Sequence, residues 1–388
     1  MSGAEPVPLQ QAFSALQQGR VEEARRLFES LTGQAPGTAA AWLGLAYSCA
    51  GLGDEDTAAR AVDQALALEP QNLRALLFKA DRLASTGAPR RSLALYDRAL
   101  KVASAGSGRL PPDIQQGLQR AQTVTEKFAA EYENFLMRGL KDRGYRSPGA
   151  SARFNLSLDI CLGRKQIFHQ QPSRYYFPGL PQRQFYERDE FPWLAELEAA
   201  TDPIREELLS VMASSDSFKP YLQSNKEFPA SDPAAVGIMD NPDWGALYMW
   251  EYGCIAEANA ARFARTMQEL EIVPLPRIKN QLPIVLFSRL AAGTHIPPHH
   301  GMLNTRLICH LPLIVPANCG VLRCGSEQKA WVEGETLIFD DSIEHEAWNN
   351  SQQDRVVLLF DIWRPELTPD EQDLVTQVLE IVREYNNQ

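Results

Sequence analysis

The sequence predicts an α+β multidomain chain in which all-α repeats precede a double-stranded β-helix (jelly-roll) domain with flanking helices. Three observations carry this expectation: a motif returning with a fixed period near the start, a change of texture at about residue 154, and short apolar runs after Pro274. At 388 residues the chain exceeds one ordinary core, and 44% hydrophobic with 22% charged residues is the balance of a soluble globular protein. A formal net charge of −11 argues against nucleic-acid or anionic-membrane binding. The amino terminus, "MSGAEPVPLQ", has neither the basic start nor the apolar core of a signal peptide, and no run of about eighteen apolar residues occurs. The expectation is a cytoplasmic protein with no nucleic-acid partner and no membrane insertion. Its 6 cysteines form no CxxC pair, so reduced thiols are expected.

The periodic motif comes first. "GRVEEA" begins at Gly19, "GDEDTA" at Gly53 and "GAPRRS" at Gly87. Small residues at 24, 58 and 92, bulky ones at Phe28, Val62 and Tyr96, and prolines at Pro36 and Pro70 keep the same step. Helix–turn–helix units with this period resemble the tetratricopeptide repeat, in which small residues let paired helices approach. The repeats are assigned to residues 1–105. Such arrays bind peptides or proteins in a groove, or serve only as packing.

Residues 106–153 are read as a linker, "SAGSGRLPP", and a capping helix from Asp113 to about Asp142 with Ile114, Leu118, Phe128, Tyr132, Phe135 and Leu136 as its apolar stripe. Residues 154–388 form the β-rich domain. Helices are expected in "PWLAELEAATDPIREELLSVMAS" and "GALYMWEYGCIAEANAARFARTMQEL", and strands in "LPIVLFSRL", "TRLICHLPLIV", "GVLRC", "KAWVEGETLIF" and "DRVVLLFDIW". The last helix opens with "TPDE", a capping box, and Leu374, Val378, Ile381 and Val382 are its expected buried face.

Histidine is concentrated: 4 of 6 lie in "HIPPHHGMLNTRLICH", His295 to His310. Imidazole is the commonest neutral metal ligand. His345 follows in "FDDSIEHEAWNN", and Arg355 then enters "VVLLFDIW", where a lone guanidinium is costly unless something anionic meets it. Imidazoles for a metal and a cation for an acid are the parts that iron(II) and 2-oxoglutarate chemistry uses. Against this, His295 reads as a polar loop residue, His300 points away from its neighbour, His310 is also compatible with a hydrogen-bonded core histidine, and His169 has no evident partner. Asp340 and Asp341 are either turn formers or supports for His345.

"FSRLAAGTHIPPHHGMLNTRLICHLPLIVP", "WVEGETLIFDDSIEHEAWN" and "LLFDIWRPELTPDEQ" resemble the aspartyl/asparaginyl β-hydroxylase family of 2-oxoglutarate oxygenases, and "YYFPGLP" resembles the start of its catalytic domain. Its animal members also carry a tetratricopeptide region. The resemblance implies that His299 and His345 are the iron ligands, that Gly301 stands where other 2-oxoglutarate oxygenases place a carboxylate, and that Ser288 and Arg355 bind the distal carboxylate of 2-oxoglutarate with His310 at its other end. Where the animal hydroxylases have an arginine, this chain has Ile308; Arg306, two residues earlier on the same face of a strand, is the candidate replacement.

The resulting expectation is an Fe(II)- and 2-oxoglutarate-dependent dioxygenase with no catalytic side chain beyond the metal site. Its implied substrate is the β-carbon of Asp or Asn in a peptide or protein held by the repeats. A free amino acid or lipid acyl chain remains an alternative substrate. A tetratricopeptide adaptor with an inactive oxygenase domain is the non-enzymatic alternative.

Overall fold

The structure is a computed structural model that describes residues 9–86, 89–106, 108–146, 149–214, 218–223 and 239–386. Gly87, Ser107 and the first eight residues, used above, lie outside the described residues. The chain divides into two compact units, Met1–Asn155 and Leu156–Gln388.

The first unit consists of helical hairpins: α1 (Leu9–Gln17), α2 (Val21–Gln34), α3 (Ala39–Gly51), α4 (Glu55–Leu68), α5 (Leu73–Ser85), α6 (Pro89–Ala105) and α7 (Pro112–Asp142). The repeating residues explain the hairpins. Gly19 and Gly53 adopt φ of 74° and 78°, a conformation that turns one helix into the next at low cost for glycine. Ala24, Ala58 and Ser92 are fully buried, and Phe28, Val62 and Tyr96 fill the space beside them. Asp54 and Asn72 cap α4 and α5 by accepting from the backbone N–H groups of Thr57 and Ala75, each at 3.1 Å. The stripe expected along α7 packs only at its start, where Ile114, Gly117 and Ala121 are buried; Tyr132 and Phe135 are exposed. α7 has 31 residues against 17 in α6, so its apolar period runs on past the turns that pack against that hairpin.

α8 (Ala152–Cys161) runs across the division between the units. In the second unit, α9 (Leu194–Ala199) and α10 (Thr201–Ser214) precede β1 (Lys219–Pro220), β2 (Trp244–Glu251) and β3 (Cys254–Ile255). Short helices α11 (Glu257–Ala260) and α12 (Ala264–Glu269) lead to β4 (Val285–Leu290), β5 (His295–His299), β6 (Arg306–Ile314), β7 (Val321–Cys324) and β8 (Glu327–Ala330). Then follow β9 (Leu337–Phe339), β10 (His345–Trp348), β11 (Arg355–Trp363) and α13 (Pro369–Asn386). The larger antiparallel sheet has the order β1-β2-β4-β11-β6-β9 with β3 on β2, and the smaller one the order β5-β10-β7-β8.

β4, β6 and β11 are buried on both faces, which is why their sequences read as nearly continuous apolar runs. One face, with Phe287, Leu311, Leu358 and Phe360, packs with α9 and α10 through Leu197, Ile204 and Leu208. The other, with Leu286, Val357 and Leu359, meets Ile296, Leu322 and Ala347 of the smaller sheet.

Three local expectations are corrected. Residues 245–251, expected to be helical, lie in β2, because pairing with β4 overrides the helical reading of a segment rich in β-favouring aromatics. His295, read as a polar loop residue, lies in β5, and His345, placed in a loop between strands, begins β10, which pairs with β5. Thr368 and Glu371 do form the capping box of α13, but its buried residues are Val375 and Leu379, and Leu374, Val378, Ile381 and Val382 are exposed. The helix is rolled so that Val375 and Leu379 join the core containing Ile278 and Leu282. Among the described residues no helix is long and apolar enough to cross a membrane.

Candidate metal centre and acid-binding pocket

β5 and β10 place His299 directly opposite His345 in an antiparallel ladder, with ring centroids 4.1 Å apart. Each ring makes the same local contact: Nδ1 of His299 lies 2.8 Å from the carbonyl of Pro297, and Nδ1 of His345 lies 3.0 Å from that of Ile343. A carbonyl only accepts, so both rings carry their proton on Nδ1 and a lone pair on Nε2, the tautomer a metal ligand needs. Burial, reinforced by His299, depresses the pKa of His345 and keeps it neutral.

The turn before His345 is tightly held. Asp340 accepts from the backbone N–H and hydroxyl of Ser342, pairs with the fully buried Arg364 at 2.7 Å and accepts from Gln170. Asp340 is thus a turn former that fixes the approach to His345.

Gly301 follows His299 by two residues. A Cβ there would lie 2.1 Å from Oδ2 of Asp341, so the Asp341 carboxylate fills the space that any side chain at 301 would need. Among the described residues no group of three or more His, Cys, Asp or Glu side chains is arranged to hold a metal ion. The donor set fits an ion with two protein ligands, His299 and His345, and leaves its remaining positions to smaller molecules.

The facing wall comes from the larger sheet. Ser288, His310 and Arg355 share its inward face: Ser288 is the register partner of Val357, His310 that of Leu359, and Arg355 precedes both on β11. Arg355 is 1% exposed, stacks over the Trp331 ring at 4.6 Å, and has no hydrogen-bond partner for Nε or Nη1 among the described residues. Burial lowers its pKa to about 10. Removal from water without an anionic partner is the condition in which a guanidinium most strongly favours a carboxylate. His310 Nδ1 is likewise buried without a partner, and burial, aided by Arg355, lowers its pKa to about 3. Ser288 Oγ accepts from Trp244 Nε1 at 3.4 Å.

Arg306 is not in the same state. Its Nη1 donates to Asp361 at 2.7 Å and its Nη2 to Asp341 at 2.9 Å. Burial opposes its charge, but the two carboxylates more than offset that and raise its pKa. Ile308, between Arg306 and His310 on the same face, is 6% exposed. Of the other histidines, His295 lies 2.9 Å from Glu346 and stacks on Trp348, and His169 is exposed. Sequence reasoning missed Trp244, Trp331 and Phe339, which surround the two histidines and Arg355. Nothing in their local sequence marks them: strand pairing places Trp244 and Phe339, and Trp331 lies in the connection between β8 and β9.

The fold defines a protein with helical hairpin repeats and a two-sheet β-domain whose facing walls carry paired imidazoles and a buried guanidinium. Comparison with known proteins shows what each unit resembles. Residues 198–365 match the family model described as Aspartyl/Asparaginyl beta-hydroxylase, and residues 9–62 match Tetratricopeptide repeat. The β-rich unit is thus similar to that hydroxylase family, and the helical unit to tetratricopeptide repeats. It is 35% identical over 139 residues to human aspartyl/asparaginyl beta-hydroxylase, covering 36% of this chain and 18% of that protein. Identity to the ornithine lipid ester-linked acyl 2-hydroxylase of Rhizobium tropici is 31% over 186 residues, 47% of this chain and 62% of that one. Aspartate beta-hydroxylase domain-containing protein 2 of Xenopus tropicalis is 26% identical over 213 residues, 54% of this chain and 55% of that protein. The chain thus spans less than two thirds of the length of each of these relatives.

Proposed function

We propose that the protein is an Fe(II)- and 2-oxoglutarate-dependent dioxygenase that hydroxylates an unactivated carbon, and that its two-sheet domain is a jelly roll. The observation that carries this reading is the unpaired, buried Arg355 behind two imidazoles of matched tautomer. His299 and His345 hold the iron through Nε2. Arg355 and Ser288 receive the distal carboxylate of 2-oxoglutarate, and His310, neutral, orients the end nearer the metal. Iron(II) with bound 2-oxoglutarate supplies the oxygen activation that these side chains lack. Arg306 acts through its two aspartates, holding Asp341 against Gly301, rather than touching the cosubstrate.

The proposed substrate is an Asp or Asn side chain of a peptide or protein, hydroxylated at the β-carbon, with the repeats as a presenting surface in a cytoplasmic setting. A lipid acyl chain is the second reading, favoured by the similarity to the Rhizobium tropici acyl 2-hydroxylase. An inactive adaptor is the rival, supported by Ile308. Calorimetry with Mn(II) and 2-oxoglutarate tests the reading: metal-dependent binding of the acid is expected, and its absence leaves the adaptor.

A further inference from the structure

The second wall beside His299 is aromatic. Trp244 lies 6.0 Å from the imidazole, Tyr221 stacks on Trp244 at 4.2 Å and 11°, and Tyr221 is within electrostatic reach of Arg306, Asp341 and Asp361. One guanidinium here meets two carboxylates, so both of its arms are engaged. Asp361 also accepts from the backbone N–H of Ile284 at 3.0 Å. Asp341 is 5% exposed, and its Oδ1 has no hydrogen-bond partner.

Consider what these walls offer a substrate, on the reading given under Proposed function. Arg355 is taken by the cosubstrate, His310 is neutral, and Arg306 is held by two aspartates. Among the described residues on these walls no cation is left to meet a second carboxylate, and a buried carboxylate without a counter-charge is strongly disfavoured. An amide loses less on leaving water, brings N–H donors for the orphaned Asp341 Oδ1, and lays a flat face on the Tyr221–Trp244 wall. We infer that the pocket selects an uncharged, hydrogen-bond-donating group, a carboxamide rather than a carboxylate, and that Asp341 reads it.

The test uses the full chain loaded with Mn(II) and 2-oxoglutarate, titrated calorimetrically at neutral pH with N-acetyl-asparagine amide and, separately, N-acetyl-aspartic acid amide. The carboxamide probe is expected to bind at least about tenfold more tightly, as a site with a hydrogen-bonding group to satisfy discriminates against a mismatched ligand. Asp361→Asn keeps the acceptor for Ile284 and releases one arm of Arg306, so it should narrow that ratio towards the acid. Equal or tighter binding of the acid by the unaltered protein, or no binding of the carboxamide, overturns the inference while leaving the dioxygenase reading intact. Failure of Mn(II) and 2-oxoglutarate themselves to bind removes the reading on which it rests, and the inference with it.

Discussion

His299 and His345 are register partners across β5 and β10, and each donates its Nδ1 proton to the carbonyl two residues before it. Both lone pairs are thereby fixed on Nε2 before any ion arrives, so affinity rests on the pair. His345→Ala is expected to abolish Mn(II) binding measured by electron paramagnetic resonance while leaving the far-ultraviolet circular dichroism of the chain unchanged. Retained stoichiometric binding would remove His345 from the ligand set.

Arg355 is buried, with no hydrogen-bond partner for Nε or Nη1 among the described residues. Replacing a poorly compensated buried charge by an apolar residue of similar length is often neutral or stabilising. Arg355→Met should therefore leave the thermal midpoint unchanged or raise it when no 2-oxoglutarate is present. The same change should weaken 2-oxoglutarate binding by roughly thirtyfold or more, the effect of truncating one member of a buried charge pair. A variant that melts much lower yet binds the acid normally would assign Arg355 a structural role.

The depressed pKa of His310 predicts acid sensitivity. Burial holds the folded-state value at about 3 against 6.5 for the free side chain. Between these values the unfolded chain binds the extra proton, so stability is present above about pH 6.5 and is lost as pH falls towards 3. A shift of this size corresponds to at most about 5 kcal/mol. His310→Leu should flatten the fall in denaturant midpoint between pH 6.5 and 4, and an unchanged slope would place the lability elsewhere.

Gly301 is held against the Asp341 carboxylate, and its own N–H donates to the Asp341 carbonyl at 2.6 Å. Gly301→Ala should destabilise the fold by about 1–3 kcal/mol through overpacking, read as a lower thermal midpoint, and weaken Mn(II) binding by displacing the strand after His299. A neutral outcome would mean that Asp341 moves aside freely.

What the sequence disclosed depended on how local the cause was. The repeats were legible because a fixed period of small and large residues is itself the packing rule, as Ala24 with Phe28 and Ala58 with Val62 illustrate. β6 and β11 were legible because burial on both faces leaves long apolar runs. β2 was not, since Trp244 to Glu251 takes its conformation from β4, more than thirty residues later. The roll of α13 was hidden for a related reason: two apolar stripes compete, and Ile278 and Leu282 decide in favour of Val375 and Leu379. At the site, residue types suggested Arg306 and Arg355 alike. Only the positions of Asp341 and Asp361 distinguish the neutralised guanidinium from the waiting one.

The ladder between β5 and β10 also governs which insertions and deletions the domain tolerates. Because His299 and His345 meet across one rung, the exposed connections between the intervening strands can lengthen or shorten without separating the rings, so long as the strands themselves keep their register. One residue added inside either strand would instead turn an imidazole to the opposite side of the small sheet. A library of single-codon insertions should accordingly lose metal binding at positions inside β5 and β10 and keep it at exposed positions of the connection between β6 and β7.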